Sequence, residues 1–199
     1  MVKKGLFLLL IGIIAFACSE DESTNPDEDN DAFDRKAMLK NWADNIIVPS
    51  YTAFNTEASN LVTASNSFTE NPTVETLQEL RVAWTESYLA FQRVSMFEIG
   101  KAEALNYRNR VNVYPTNTSE IDGLIADGNY DLSLPSTIDA QGFPAIDYLI
   151  NGLASSDEEI VAFYTTNGNA QNYKDYLNML AETISTLTET VLNDWNNGY

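Results

Sequence analysis

The segment from Asn169 to Asn196 leaves the chain little choice of fold. Tyr173, Leu177, Leu180, Ile184, Leu187, Val191 and Trp195 follow one another at steps of four, three, four, three, four and four. That spacing puts all seven on one face of a long helix, and Asn197-Gly198 supplies a C-terminal stop. A face so apolar can be hidden only against another element of similar length. Leu77, Leu80, Trp84, Tyr88, Phe91, Val94 and Phe97 give a second such stripe. Asn71-Pro72 predicts its start, as cap residue and first helical residue, and Gly100 its stop, so the helix is expected to run to about Ile99.

A third stripe runs from Phe33 to about Phe68 through Leu39, Trp42, Ile46, Ala53, Phe54 and Leu61. Pro49 falls inside it. Proline removes a backbone hydrogen bond and crowds the preceding turn, so a kink or break is expected between Ile46 and Ser50. Shorter pieces follow. Asn117 and Glu120 have capping-box spacing for a helix over 118–126 ended by Gly128, and Ser156-Asp157-Glu158-Glu159 opens another. Residues 135–141 are expected to form a loop. No alternating strand of useful length is found, so the predicted class is all-α: an up-and-down bundle of three to four long helices with short helices between.

The loop leads into Gly142-Phe143-Pro144-Ala145-Ile146-Asp147-Tyr148-Leu149-Ile150. Gly142 can adopt a conformation closed to other residues, Pro144 suits a first helical turn, and Ile146, Leu149 and Ile150 share a face. Asp147 sits beside that face, which makes it a candidate ligand for a hard cation, with Glu98 or Asp139 as possible companions. Glu98 opposes a helix dipole and is expected to pair with Arg108 or Arg110. Those two arginines are candidates for holding an anionic ligand or for neutralising Asp147. Tyr51, beside the proline, is a candidate binding residue with helix packing as its competing role.

Composition narrows the chemistry. Histidine is absent and Cys18 is the one cysteine, so a Cys/His zinc site and His-dependent nucleophilic catalysis are excluded. Eleven basic residues against 29 acidic ones give a net charge of -18, which repels nucleic-acid phosphates.

At the N-terminus, Lys3 and Lys4 precede an apolar run, and residues 1–17 read as a secretory signal. Ala15-Phe16-Ala17-Cys18 resembles a bacterial lipobox, which implies lipidation of Cys18 and attachment to a membrane. Residues 18–32 are then the lipidated cysteine and an acidic tether, and residues 33–199 the folded domain. The acidic run after the cysteine is similar to a surface-export signal of bacterial lipoproteins. The expected address is the outer membrane, on its surface or its periplasmic side.

Residues 34–199 resemble the imelysin family. The likeness is carried by Gly142 to Ile150, by Asn45 to Tyr51, by Trp84 with the aromatics after it, and by Arg108, Arg110 and the pair Tyr114-Pro115. The family signature is Gly-x-His-x-x-Glu; here Pro144 stands at the histidine and Asp147 at the glutamate. The resemblance implies an all-helical fold of two bundles, of which this chain would supply the first, alone or as part of a longer product. It also implies a place in iron or haem acquisition at the cell envelope, with Tyr114 near the motif as a binding candidate. The family name comes from a metallopeptidase assignment. A peptide-bonded proline has no lone pair to offer a metal, so peptidase activity is not expected. Iron or another cation held through oxygen ligands, and envelope uptake proteins as partners, are the ligand expectations. A cation-dependent hydrolase using Asp147 and a purely structural docking domain are the alternatives.

Overall fold

The structure, a computed structural model, describes residues 33–198. The signal segment, Cys18 and the acidic tether lie outside the described residues. Contacts divide the chain into residues 1–37 and 38–199. In the first unit the Asp34 carboxylate accepts the Ala37 N–H. The account that follows concerns the second.

Three long helices carry the fold: α2 (Val48–Glu70), α3 (Val74–Gln92) and α9 (Ala170–Gly198). Helix α2 packs most extensively against the other two. The connection from α2 to α3 is a few residues long, which makes them antiparallel neighbours. Between α3 and α9 the chain runs through α4 (Lys101–Ala104), α5 (Tyr107–Val111), α6 (Thr118–Asp127), a 3-10 turn (Pro135–Ala140), α7 (Gly142–Asp147), a π-helical turn (Tyr148–Gly152) and α8 (Asp157–Phe163). Among the described residues there is no strand, and the all-α expectation holds.

The break before Pro49 takes a specific form. Helix α1 (Arg35–Trp42) passes into a π-helical turn (Ala43–Ile47), and the Val48 N–H bonds to the Ala43 carbonyl five residues back. Proline cannot donate to the turn behind it, so the helix widens there and resumes with Pro49 in its first turn. The widening also resets the stripe. Ile47, Tyr51, Phe54, Ala58, Leu61 and Phe68 are buried, whereas Leu39, Trp42 and Ile46 are 57%, 47% and 47% exposed and Ala53 faces solvent. The single stripe expected over residues 33–68 is thus corrected to one beginning at Ile47.

Three boundaries also differ from expectation. Helix α3 starts from Thr73, whose hydroxyl accepts the Thr76 N–H while the Thr76 hydroxyl accepts the Thr73 N–H. Asn71 instead closes α2. Helix α3 ends at Gln92, short of Ile99, and the expected loop over 135–141 contains the 3-10 turn. The caps at Asn117 and Ser156 and the stop at Gly128 are where the sequence puts them.

The core is rich in tyrosine, and the phenols of Tyr51, Tyr107, Tyr164 and Tyr176 each meet an oxygen partner. Tyr164 donates to the Leu149 carbonyl at 2.9 Å and Tyr176 to the Ala140 carbonyl at 2.6 Å. The Thr188 hydroxyl donates to Ile184 at 2.7 Å, so at 2.8 Å the Tyr107 hydroxyl donates to it. Burial pushes the phenols of Tyr51, Tyr107, Tyr164 and Tyr176 well above their ordinary value. Tyr148, half-buried, is pushed up to about 12, chiefly by burial and then by its bond to the Asp122 carboxylate. A folded-state value above the unfolded value of about 10 contributes stability that is intact below pH 10 and lost as pH rises through the raised value. In an alkaline titration these phenols should ionise only together with loss of helical circular dichroism. Tyrosinate absorbance rising to completion while the helices persist would contradict their placement.

Candidate functional site

The motif helix begins where two backbones nearly touch. Gly142 has φ +79°, and a Cβ there would lie 2.2 Å from the Val111 carbonyl oxygen at the end of α5. Only glycine permits that approach. Helix α7 then buries Phe143, Ala145 and Ile146, and the π-helical turn buries Leu149 and Ile150. A π turn disrupts the regular carbonyl pairing of a helix, and here side chains make up the deficit. Arg81 donates from Nε (3.0 Å) and Nη2 (2.8 Å) to the Ile150 carbonyl, while Tyr164 serves that of Leu149. The third guanidinium nitrogen of Arg81 meets the Asp157 carboxylate at 2.8 Å. Hydrogen bonds from Arg81 and Gln78 hold the Asp157 carboxyl below its usual range. One arginine therefore ties the motif to both α3 and α8.

Beside this turn lies a recess of ≈ 160 Å³, lined by Trp84, Tyr88, Asn112, Tyr114, Phe143, Pro144 and Asp147. Its walls are aromatic. Trp84 stacks on Tyr88 with ring centres 5.2 Å apart and planes 10° from parallel, and Phe143 meets Tyr88 edge-on at 5.3 Å. The Trp84 indole N–H donates to the Phe143 carbonyl at 3.1 Å, which fixes the ring against α7. Tyr114 is 85% exposed at the mouth, followed by a cis peptide bond to Pro115. Asp147 is exposed, and its carboxylate accepts a hydrogen bond from the Asn151 amide at 2.8 Å.

Of the candidate ligand and binding residues named from the sequence, Asp147 and Tyr114 meet at this recess; Glu98, Arg108, Arg110, Tyr51 and Asp139 line no part of it. Glu98 takes the Arg108 backbone N–H, at 3.1 and 3.3 Å from its two carboxylate oxygens. Its partner is thus a peptide group and not the expected guanidinium. Arg110 donates to the Leu132 carbonyl at 2.8 Å, in place of the expected pairing with Glu98 or Asp147. Tyr51 is fully buried with its hydroxyl 3.4 Å from the Phe97 carbonyl, which makes it a packing residue. Asp139 accepts from the Asn117 side chain at 3.3 Å.

Trp84, Tyr88, Asn112, Phe143 and the Arg81 clamp were not anticipated as a site. The i, i+4 pair Trp84 and Tyr88 reads as ordinary core, and only the crossing of α7 over α3 shows that both rings stay half-open.

The donors present do not suit a hydrolytic zinc centre. Such a centre takes three protein ligands of nitrogen, sulfur or carboxylate type, and the recess offers a single carboxylate beside a proline. Among the described residues no three of His, Cys, Asp and Glu come together as a metal cluster.

A helical bundle with a glycine-led motif helix and an aromatic recess at its side places the chain among the all-α bundle proteins. The imelysin (peptidase M75) family model matches residues 47–199, and the chain belongs to that family. No curated protein matches it. A solved structure from Parabacteroides distasonis, of a protein proposed to be an iron-regulated protein A precursor, is similar to it with a TM-score of 0.66. Identity is 19%, and the match covers 80% of this chain. This chain spans 44% of that protein's length.

Proposed function

We propose that the protein is a lipid-anchored binding protein of the cell envelope, accessory to iron or haem uptake, and not a peptidase. The observation that carries this reading is that Pro144, at the position of the histidine in the family signature, lies in the lining of the recess. A position that would supply a metal ligand supplies an apolar wall, in a pocket positioned by the close approach at Gly142 and by the bond from Trp84 to the Phe143 carbonyl. The iron-regulated name borne by the structural neighbour supports the choice of iron. Lipidated Cys18 would provide the attachment; among the described residues no helix is long and apolar enough to cross a membrane.

Thermal-shift titration of the detergent-solubilised full chain with ferrous, ferric and haem ligands tests the reading. A ligand present at a hundred times its dissociation constant stabilises by about 2.7 kcal/mol. At roughly 2–4 °C per kcal/mol for a domain of this size, Tm should rise by roughly 5–10 °C. No rise with any of them, or cleavage of a protein substrate that Asp147→Asn abolishes, would overturn it.

A further inference from the structure

We propose that the recess receives a monovalent organic cation: an alkylammonium or guanidinium head group. The inference rests on the reading that this recess, and not a peptidase centre, is the binding site.

The lining has the two properties that recognise such a group. Trp84 and Tyr88, both half-buried, and the exposed Tyr114 present aromatic surface, which attracts a cation carrying a diffuse, weakly hydrated charge. Asp147 provides one full negative charge at the rim, enough to balance one positive charge. No lysine or arginine lines the recess, so nothing inside opposes a cation. Pro144 leaves neither a titratable nor a coordinating group where the family has its imidazole.

Competing ligand classes fit less well. A divalent metal ion takes six or more oxygen ligands or an equivalent set, and one carboxylate with an amide and two phenols does not approach that. An anion would meet Asp147 and a chain whose net charge is -18. The volume of ≈ 160 Å³ is about five times the ~30 Å³ share of one water molecule, room for a head group and not for a drug-sized ligand.

The test uses the detergent-solubilised full chain, with the Trp84 indole N–H followed by NMR and assigned through Trp84→Phe. Choline is the first probe, its uncharged tert-butyl analogue, with carbon in place of nitrogen, the second, and N-acetyl-arginine amide the third. A saturable shift of the Trp84 signal with choline or the arginine amide is expected, with the uncharged analogue about tenfold weaker. Asp147→Asn should weaken the cation by about tenfold, and Tyr114→Ala, which removes an exposed ring, by about threefold. Choline alone binding would assign the site to small free amines, and the arginine amide alone to a basic side chain of a protein. Equal binding of the uncharged analogue, or no shift with either cation at millimolar concentration, overturns the inference. Iron or haem raising Tm while neither cation moves the indole overturns it and leaves the iron reading in place. Cation binding without any iron or haem response does the reverse.

Discussion

Gly142→Ala should cost the protein roughly 4 kcal/mol, combining about 1–3 kcal/mol for a left-handed backbone and about 1–3 kcal/mol for overpacking. The new methyl group would lie 2.2 Å from the Val111 carbonyl oxygen and 2.5 Å from its carbon, both of them backbone atoms that no rotamer change can move aside. Relief requires separating α7 from α5, and the wall of the recess carried by Phe143 and Pro144 would travel with α7. Tm should fall by roughly 8–16 °C at ~2–4 °C per kcal/mol. A fall of less than a few degrees would mean that the close approach is not a feature of the folded protein. The comparison variant is Gly168→Ala. Gly168 has open space where a Cβ would sit, so that substitution should leave Tm nearly unchanged.

Phe143→Ala should be of similar size, about 3–5 kcal/mol, for a different reason. The ring is fully buried and touches Phe54, Trp84, Tyr88 and Phe91, with centre-to-centre distances from 5.3 to 6.2 Å. Removing it opens a cavity at the meeting point of α2, α3 and α7, whose walls are held by other aromatic contacts and cannot collapse fully. Differential scanning calorimetry should show the loss, and the Trp84 indole should report it because that N–H is bonded to the Phe143 carbonyl. Phe143→Leu should recover most of the stability. If alanine and leucine proved equally mild, the aromatic cluster would not be the centre of the core.

Both predictions depend on residues whose importance could be read in part from the chain. Gly142 was legible because a glycine before a proline-started apolar helix signals an unusual backbone. Helix α9 was legible because its stripe is uninterrupted, and the caps at Asn117 and Ser156 because their partners are local. The start of α3 was obscured by two adjacent signals: Asn71-Pro72 is a plausible cap, but Thr73 and Thr76 satisfy each other reciprocally and prevail. The exposed positions of Leu39, Trp42 and Ile46 were not legible, since a helical stripe is extrapolated at constant pitch and the pitch changes at Ala43–Ile47. Of the recess, the sequence yielded Asp147 and Tyr114. The rest depends on which helix crosses which, as does the role of Arg81, a lone cation whose acceptors lie 69 and 76 positions further on.

The two π-helical turns bear on how this chain is to be aligned with others. A π turn is what an α-helix becomes when one residue is inserted and the flanking turns keep their faces, so each holds one residue more than the regular ladder requires. An ungapped match across residues 43–47 or 148–152 is liable to slip by one, pairing core positions on one side with surface positions of a relative that lacks the turn. A gap opened inside either turn restores the phase on both sides.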